Sequence, residues 1–172
     1  LLGQEQAFVS ASIGITLYPD DAGTIEDLLK QADQAMYVSK GAGRNRYSYF
    51  TPAMQVAAVN RMRMGADLRT ALREQQMQLY YQPIVELHSG NIAKAEALLR
   101  WKHPMRGMVS PGVFIPVAEE TSLILELGTW VLDEACRQIR SWEDRGLHMP
   151  AIAVNLSARQ FDEQLPARIA AV

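Results

Sequence analysis

Glu96 and Arg100 place an acid and a base on the run Glu96-Ala97-Leu98-Leu99-Arg100-Trp101, which closes a strand-like stretch beginning near Ile92. A turn-rich segment, Lys102-His103-Pro104-Met105-Arg106-Gly107, follows at once. Charged residues at the carboxyl ends of strands are where α/β barrels put their chemistry. A second strand-like run, Ala151-Ile152-Ala153-Val154, delivers Asn155 to an equivalent place. Glu96 can offer two oxygens, and Asn155 one neutral carbonyl oxygen, to a hard cation such as Mg²⁺, Mn²⁺ or Ca²⁺. Two such ligands do not define a complete site. The competing reading is that Glu96 pairs with Lys94 or Arg100 and that Asn155 caps a helix beginning near Ser157. Arg100 has the bidentate fork that clamps phosphate, and Gln82, just before Pro83, can read a base edge or a phosphate. Each is also an ordinary hydrogen-bonding residue.

Other reactive residues offer less. His88, His103 and His148 lie in turn-like stretches without HxxH or HExxH spacing, and none is assigned to metal or acid–base work. GxSxG elbows, Walker loops and CxxC pairs are absent from the sequence. Cys136 falls on a helical pattern and reads as a small buried hydrophobe in a reducing compartment. Asn155-Leu156-Ser157 matches a glycosylation sequon, which a buried strand end in an intracellular chain would leave unused. Lys40 and Arg44 bracket a helix end; they suit either a triphosphate or the negative end of the helix dipole.

These side chains must be positioned by a recognisable series of elements. Phe8 to Tyr18 is β-branched and partly alternating, and Pro19-Asp20-Asp21-Ala22-Gly23 ends it as a turn. Thr24 with Asp27 forms a capping-box variant. Ile25, Leu28, Leu29, Ala32, Ala35 and Met36 then recur at helical spacing down to Lys40, with Gly41 and Gly43 as the stop. Arg46 to Phe50 completes a β-α-β piece. A helical stretch from Pro52 to Glu74 carries Arg61, Arg63, Arg69 and Arg73, which could meet phosphate but read by default as a solvated face. Met77 to Leu87 and Ile92 to Trp101 make a hairpin around His88-Ser89-Gly90-Asn91. A short helix over 110–118 follows, then a long one with Leu127, Trp130, Val131, Ala135, Ile139 and Trp142 on one face, then the Ala151–Val154 strand. A hairpin leading into helix–strand alternation predicts an α/β fold with a mostly parallel barrel or sheet and one antiparallel strand.

Composition sets the outer bounds. The chain has 172 residues, 48% of them apolar, which suffices for a core. A formal charge of −2 gives no global drive toward nucleic acid or a polybasic membrane anchor. No apolar run approaches the ~18 residues of a membrane span. The sequence opens without Met beside a strand and stops inside a helical pattern, which reads as part of a longer protein.

Taken together, Ser10-Ala11-Ser12-Ile13-Gly14-Ile15, Ala32-Asp33-Gln34-Ala35-Met36-Tyr37-Val38-Ser39-Lys40 and Gly43-Arg44-Asn45-Arg46-Tyr47 resemble the C-terminal third of a GGDEF, or diguanylate cyclase, domain. The remainder is similar to the N-terminal part of an EAL domain, the cyclic-di-GMP phosphodiesterase family. The matching segments are Tyr81-Gln82-Pro83-Ile84-Val85, Glu96 to Trp101, His103-Pro104 with Gly107, Ser110-Pro111, Phe114 to Glu120 and Val154-Asn155-Leu156-Ser157. They occur in order across two domains that are usually fused this way.

The resemblance implies a partial nucleotidyl-cyclase-like α/β unit over 1–50, a helical connector over 51–66, and the first part of a modified TIM-type barrel over 67–172. It implies that Glu96 is the acid of the family's name motif, a catalytic residue and a metal ligand, with Asn155 as the next ligand. Gln82, Leu98 and Arg100 would contact the bound dinucleotide, and Lys40 and Arg44 the phosphates of GTP. Implied cofactors are Mg or Mn, and the implied reaction is hydrolysis of cyclic-di-GMP to linear pGpG by metal-activated water. The implied setting is a cytoplasmic bacterial signalling protein, which could be membrane-tethered elsewhere and could act as a homodimer, with no nucleic-acid polymer as partner. The family's paired aspartates, further glutamates and catalytic lysine would follow Val172, and the GGDEF signature would precede Leu1. By itself the chain is therefore expected to be inactive. A non-catalytic cyclic-di-GMP receptor, or a parent acting chiefly as a cyclase, are the alternatives; retention of Glu96 and Asn155 speaks against the first.

Overall fold

The computed structural model describes residues 8–147 and 151–171 and resolves the chain into two compact units, 1–62 and 63–172. His148 lies outside the described residues. Cys136, expected to be buried, is exposed, because it follows Ala135 off the buried face of its helix. Among those described, no helix is long and apolar enough to cross a membrane.

The first unit is a β-α-β piece. Strand β1 (Ser12–Ile15) pairs in parallel with β2 (Arg46–Tyr49), and helix α1 (Ile25–Gly41) makes the crossover that parallel strands require. Thr24 caps α1 as its spacing predicts, accepting from the Asp27 amide at 3.2 Å and donating to the Asp27 carboxylate at 2.8 Å. β1 is shorter than its β-branched run, because a strand lasts only as long as its ladder and β2 supplies partners for Ser12 to Ile15 alone. Two small residues let helix and strands meet. Buried Ser39 donates to the Ile13 carbonyl at 3.0 Å and sits 2.9 Å from the Ser48 hydroxyl, tying α1 to both strands. Gly14 faces α1 so closely that a Cβ there would lie 1.8 Å from the Ala32 carbonyl oxygen. Gly14→Ala is therefore expected to destabilise this unit by about 1–3 kcal/mol, the usual cost of overpacking, read as a lowered denaturation midpoint.

Helix α2 (Pro52–Arg73) opens on proline, whose missing N–H costs nothing at a helix start, and runs unbroken through the boundary between the units. The connector and the opening helix of the second unit are thus one element. Its buried residues in the second unit, Met64, Gly65, Leu68 and Ala71, recur at the spacing of one helix face.

In the second unit β3 (Met77–Val85) and β4 (Ile92–His103) form the antiparallel hairpin. Pro83, which the sequence reads as an interruption of this strand, lies within β3: β4 is the only strand paired with β3 among the described residues, so an edge position tolerates the missing N–H. β4 runs beyond Trp101 to His103, and β5 (Gly107–Val109) returns antiparallel against it, where the sequence reads only as a turn. Helices α3 (Pro111–Glu120) and α4 (Leu123–Glu143) follow, then β6 (Ile152–Val154), parallel to β4, a 3₁₀ turn over Ala158–Gln160 and α5 (Leu165–Ala170). The core joins α2, α3 and α4 to the odd-numbered face of β4 and its neighbours: Leu68, Trp101, Phe114 and Leu127 are almost wholly buried within it. Each such side chain contributes about 1.5–3 kcal/mol relative to exposure.

His103 illustrates a buried histidine with a structural task. Its Nδ1 accepts from the Met105 and Arg106 amides at 3.0 and 3.2 Å, so Nε2 carries the proton toward Asp67, 3.3 Å away. This shapes the β4–β5 turn and fastens it to α2.

Candidate functional site

Alternation along β4 divides its residues between two faces. Ala95, Ala97 and Trp101 are buried against the helices, while Glu96, Leu98 and Arg100 point the other way and remain half-buried. Opposed residues of an antiparallel pair share a face. The register sets Gln82 against Glu96, Tyr80 against Leu98 and Gln78 against Arg100. Gln82 thus joins the Glu96 face, and Tyr81 turns away to pack edge-on against Trp142 of α4, ring centroids 4.8 Å apart. Burial, and then the nearby Glu134, push the Tyr81 phenol above its ordinary pKa, so it stays neutral near pH 7.

β6 lies against the other edge of β4 with Glu96 opposite Ala153 and Ala97 opposite Val154, so Asn155 emerges just past the end of β6 and above Glu96. The Asn155 Nδ2 donates to Glu96 Oε1 at 2.6 Å. The Glu96 carboxylate is thus partnered by Asn155, while Arg100 donates to the Leu99 carbonyl at 2.9 Å and lies 5.6 Å from the Tyr80 ring centre. The helical cap also differs from expectation, since Ser157, not Asn155, caps the following 3₁₀ turn. Asn155 is left exposed, with its side chain available to the site.

The position of Glu96 is a further correction. It lies mid-strand, because β3 and β5 supply partners that carry β4 on to His103. It nevertheless stands level with the carboxyl end of β6, which makes it part of that rim. One edge of β4 is shared: β6 takes Ala95–Ala97 and β5 takes Trp101–His103. Between them, at Leu98–Arg100, a cleft of about 330 Å³ opens, lined by Leu98, Arg100, Asn155, Ser157, Gln160 and apolar side chains of α3 and α4. Its size is at the lower end of small-molecule pockets.

Of the residues singled out in the sequence, Glu96, Asn155, Gln82, Leu98 and Arg100 therefore gather on one face. Lys40 lies in the last turn of α1 and Arg44 follows the helix with φ 59°, both exposed in the first unit. Glu119, Ser157 and Gln160 line the same cleft and were not singled out as site residues. Ser157-x-x-Gln160 is a capping-box pattern that could have flagged two of them; Glu119 carries no local signal. Among the described residues, no cluster of three or more His, Cys, Asp or Glu side chains is arranged to hold a metal ion.

The sequence profile of the EAL domain family matches residues 66–172, well over half of the chain. The chain belongs to the EAL domain family. Residues 2–46 match the profile described as diguanylate cyclase, GGDEF domain. The chain is 49% identical over 160 residues to the bifunctional diguanylate cyclase/cyclic di-GMP phosphodiesterase MucR of Pseudomonas aeruginosa, covering 93% of this chain and 23% of that protein. It is 37% identical over 163 residues to the cyclic di-GMP phosphodiesterase PdeR of Escherichia coli, covering 95% and 24%. The chain thus spans less than a quarter of the length of these relatives. Among solved structures, the PaMucR phosphodiesterase in complex with c-di-GMP superposes with a TM-score of 0.59 at 50% identity, over 63% of this chain and 44% of that one. The Xanthomonas citri FimX EAL domain in complex with c-diGMP gives 0.57 at 28% identity, over 68% and 45%. The EAL part accordingly has the beginning of a TIM-barrel-like α/β fold, with Glu96 to Leu98 as the Glu-Ala-Leu of the family name.

Proposed function

We propose that the EAL part of this chain belongs to a phosphodiesterase that hydrolyses cyclic-di-GMP to linear pGpG with Mg²⁺ or Mn²⁺. The observation that carries this reading is the Glu96–Asn155 contact at 2.6 Å on the face that also bears Gln82, Leu98 and Arg100. The donor set fits a hard cation: one anionic oxygen donor on β4 and one neutral donor just past the end of β6. In the structure the amide nitrogen faces Glu96; a half-turn of the amide would present its oxygen instead. Two protein ligands suit an ion that keeps several waters and shares substrate phosphate. When bound, Mg²⁺ or Mn²⁺ supplies Lewis acidity to a phosphate oxygen and lowers the pKa of water near neutral pH.

This chain's own residues do the rest. Glu96, and Asn155 once its amide is turned, would offer oxygens to one ion. Arg100, held by the Leu99 carbonyl, presents its remaining N–H groups along the cleft for a phosphate. Gln82 offers an amide to the same face, and Leu98 gives a base an apolar surface from which water is excluded. In the first unit, Lys40 and Arg44 are the cations that would meet the phosphates of GTP.

Arg100→Ala in the full-length protein is expected to raise KM for cyclic-di-GMP by about tenfold or more, the worth of a charge-assisted hydrogen bond, with Mn²⁺ affinity nearly unchanged. Steady-state hydrolysis alongside Mn²⁺ titration checks it; a loss of Mn²⁺ affinity with KM intact would reverse the assignment. Binding of cyclic-di-GMP by the wild type without hydrolysis in Mg²⁺ or Mn²⁺ would replace the phosphodiesterase by a receptor.

A further inference from the structure

Asn155 lies where the backbone ladder has run out: β6 is paired with β4 only as far as Val154. From there on, side chains hold the strand end. The Ser157 hydroxyl donates to Glu119 Oε1 on α3 at 2.6 Å and accepts from the Arg159 amide at 3.3 Å. The Ser157 amide donates to Gln160 Oε1 at 2.9 Å, closing the capping box. Gln160 is 5% exposed, and its amide lies directly on α4 at Gly128. A Cβ on Gly128 would be 1.8 Å from Gln160 Nε2 and 2.7 Å from its Cδ. Glycine inside a helix costs about 1 kcal/mol relative to alanine, and here it makes room for one side chain. The segment carrying Asn155 is thus fastened to two core helices at two points, through Glu119 and through Gly128.

We infer that Ser157 and Gln160, seated on Glu119 and Gly128, are positioning residues that set where the Asn155 amide stands relative to Glu96. The inference rests on the phosphodiesterase reading for what Asn155 does there, but not for how it is held. Gln160 acts by closing the turn that fixes the chain past Val154. Its polar atoms are buried, so removing it leaves the Ser157 amide without its acceptor, and the turn loosens. Groups that hold a metal ligand in place are worth about 10–100-fold in affinity or activity.

The test uses the full-length protein, with Mn²⁺ titration, cyclic-di-GMP hydrolysis and hydrogen exchange over residues 155–160. Gly128→Ala is expected to weaken Mn²⁺ binding and lower kcat by about tenfold while KM for cyclic-di-GMP moves less than about twofold, because Gln82 and Arg100 stand on β3 and β4 outside the clamp. Exchange over 155–160 should quicken. In a Gln160→Ala background the added methyl meets open space, so Gly128→Ala should have no further effect; such non-additivity marks direct contact. Ser157→Ala should behave as Gln160→Ala does, and Ser157→Thr, which keeps the hydroxyl, should restore binding. Native Mn²⁺ affinity and native exchange in Gly128→Ala and Ser157→Ala would overturn the clamp, as would additive effects of Gly128→Ala and Gln160→Ala. A wild type that binds no Mn²⁺ would overturn the metal reading instead, and the exchange data alone would then decide the clamp.

Discussion

Glu96→Gln in the full-length protein should lose about a thousandfold or more in cyclic-di-GMP hydrolysis, equivalent to about 4 kcal/mol of transition-state stabilisation. The substitution is chosen for what it keeps. Glutamine still offers an oxygen to the Asn155 Nδ2 that now donates to Glu96 at 2.6 Å, so the rim retains its shape. Only the negative charge is lost, and a dication with few protein ligands depends heavily on that charge. Glu96→Ala should be equally inactive and should also release Asn155. Hydrolysis followed by chromatographic separation of pGpG, with Mn²⁺ titration in parallel, gives the answer. Native turnover in Glu96→Gln would remove Glu96 from the chemistry, whatever its place on the strand.

Trp101→Ala should have the largest effect on stability, about 3–5 kcal/mol. The indole is 0% exposed, edge-on to Phe114 at 5.6 Å and beside His103 at 5.2 Å, and its Nε1–H donates to Gln76 at 3.2 Å. One side chain therefore joins β4 to α3 and to the turn before β3. A loss of that size is a large part of the 5–15 kcal/mol by which domains are usually stable. Trp101→Phe should cost less, because it keeps most of the packing and forfeits the N–H donor. Denaturant unfolding followed by far-UV circular dichroism separates the two. An unchanged midpoint in Trp101→Ala would contradict the packing described.

Local patterns carried much of this protein. Thr24 with Asp27, the helical spacing through Met36 and the turn at His88–Asn91 each specify an element from short-range geometry, and the structure has α1 and the β3–β4 hairpin accordingly. The Glu96 and Asn155 motifs also lie in contiguous segments, which is why membership of the EAL family was legible without coordinates. Strand lengths were less so. β1 is short and β4 long because a strand's extent belongs to its partners, and β5 was invisible inside what reads as a turn.

By itself, then, the sequence carried the order of the elements other than β5, the likeness to two joined families and the identity of the oxygen-bearing residues. Tertiary structure decided which of these residues meet. Asn155 reaches Glu96 across 59 positions of sequence, a contact set by the parallel register of β6 on β4 and by no property of either segment alone. The seat of Gln160 on Gly128 is likewise a fit between a turn and a distant helix face. Hydrogen-bond ladders and close packing between separate elements are properties of pairs, and a linear sequence shows each member of the pair without its partner.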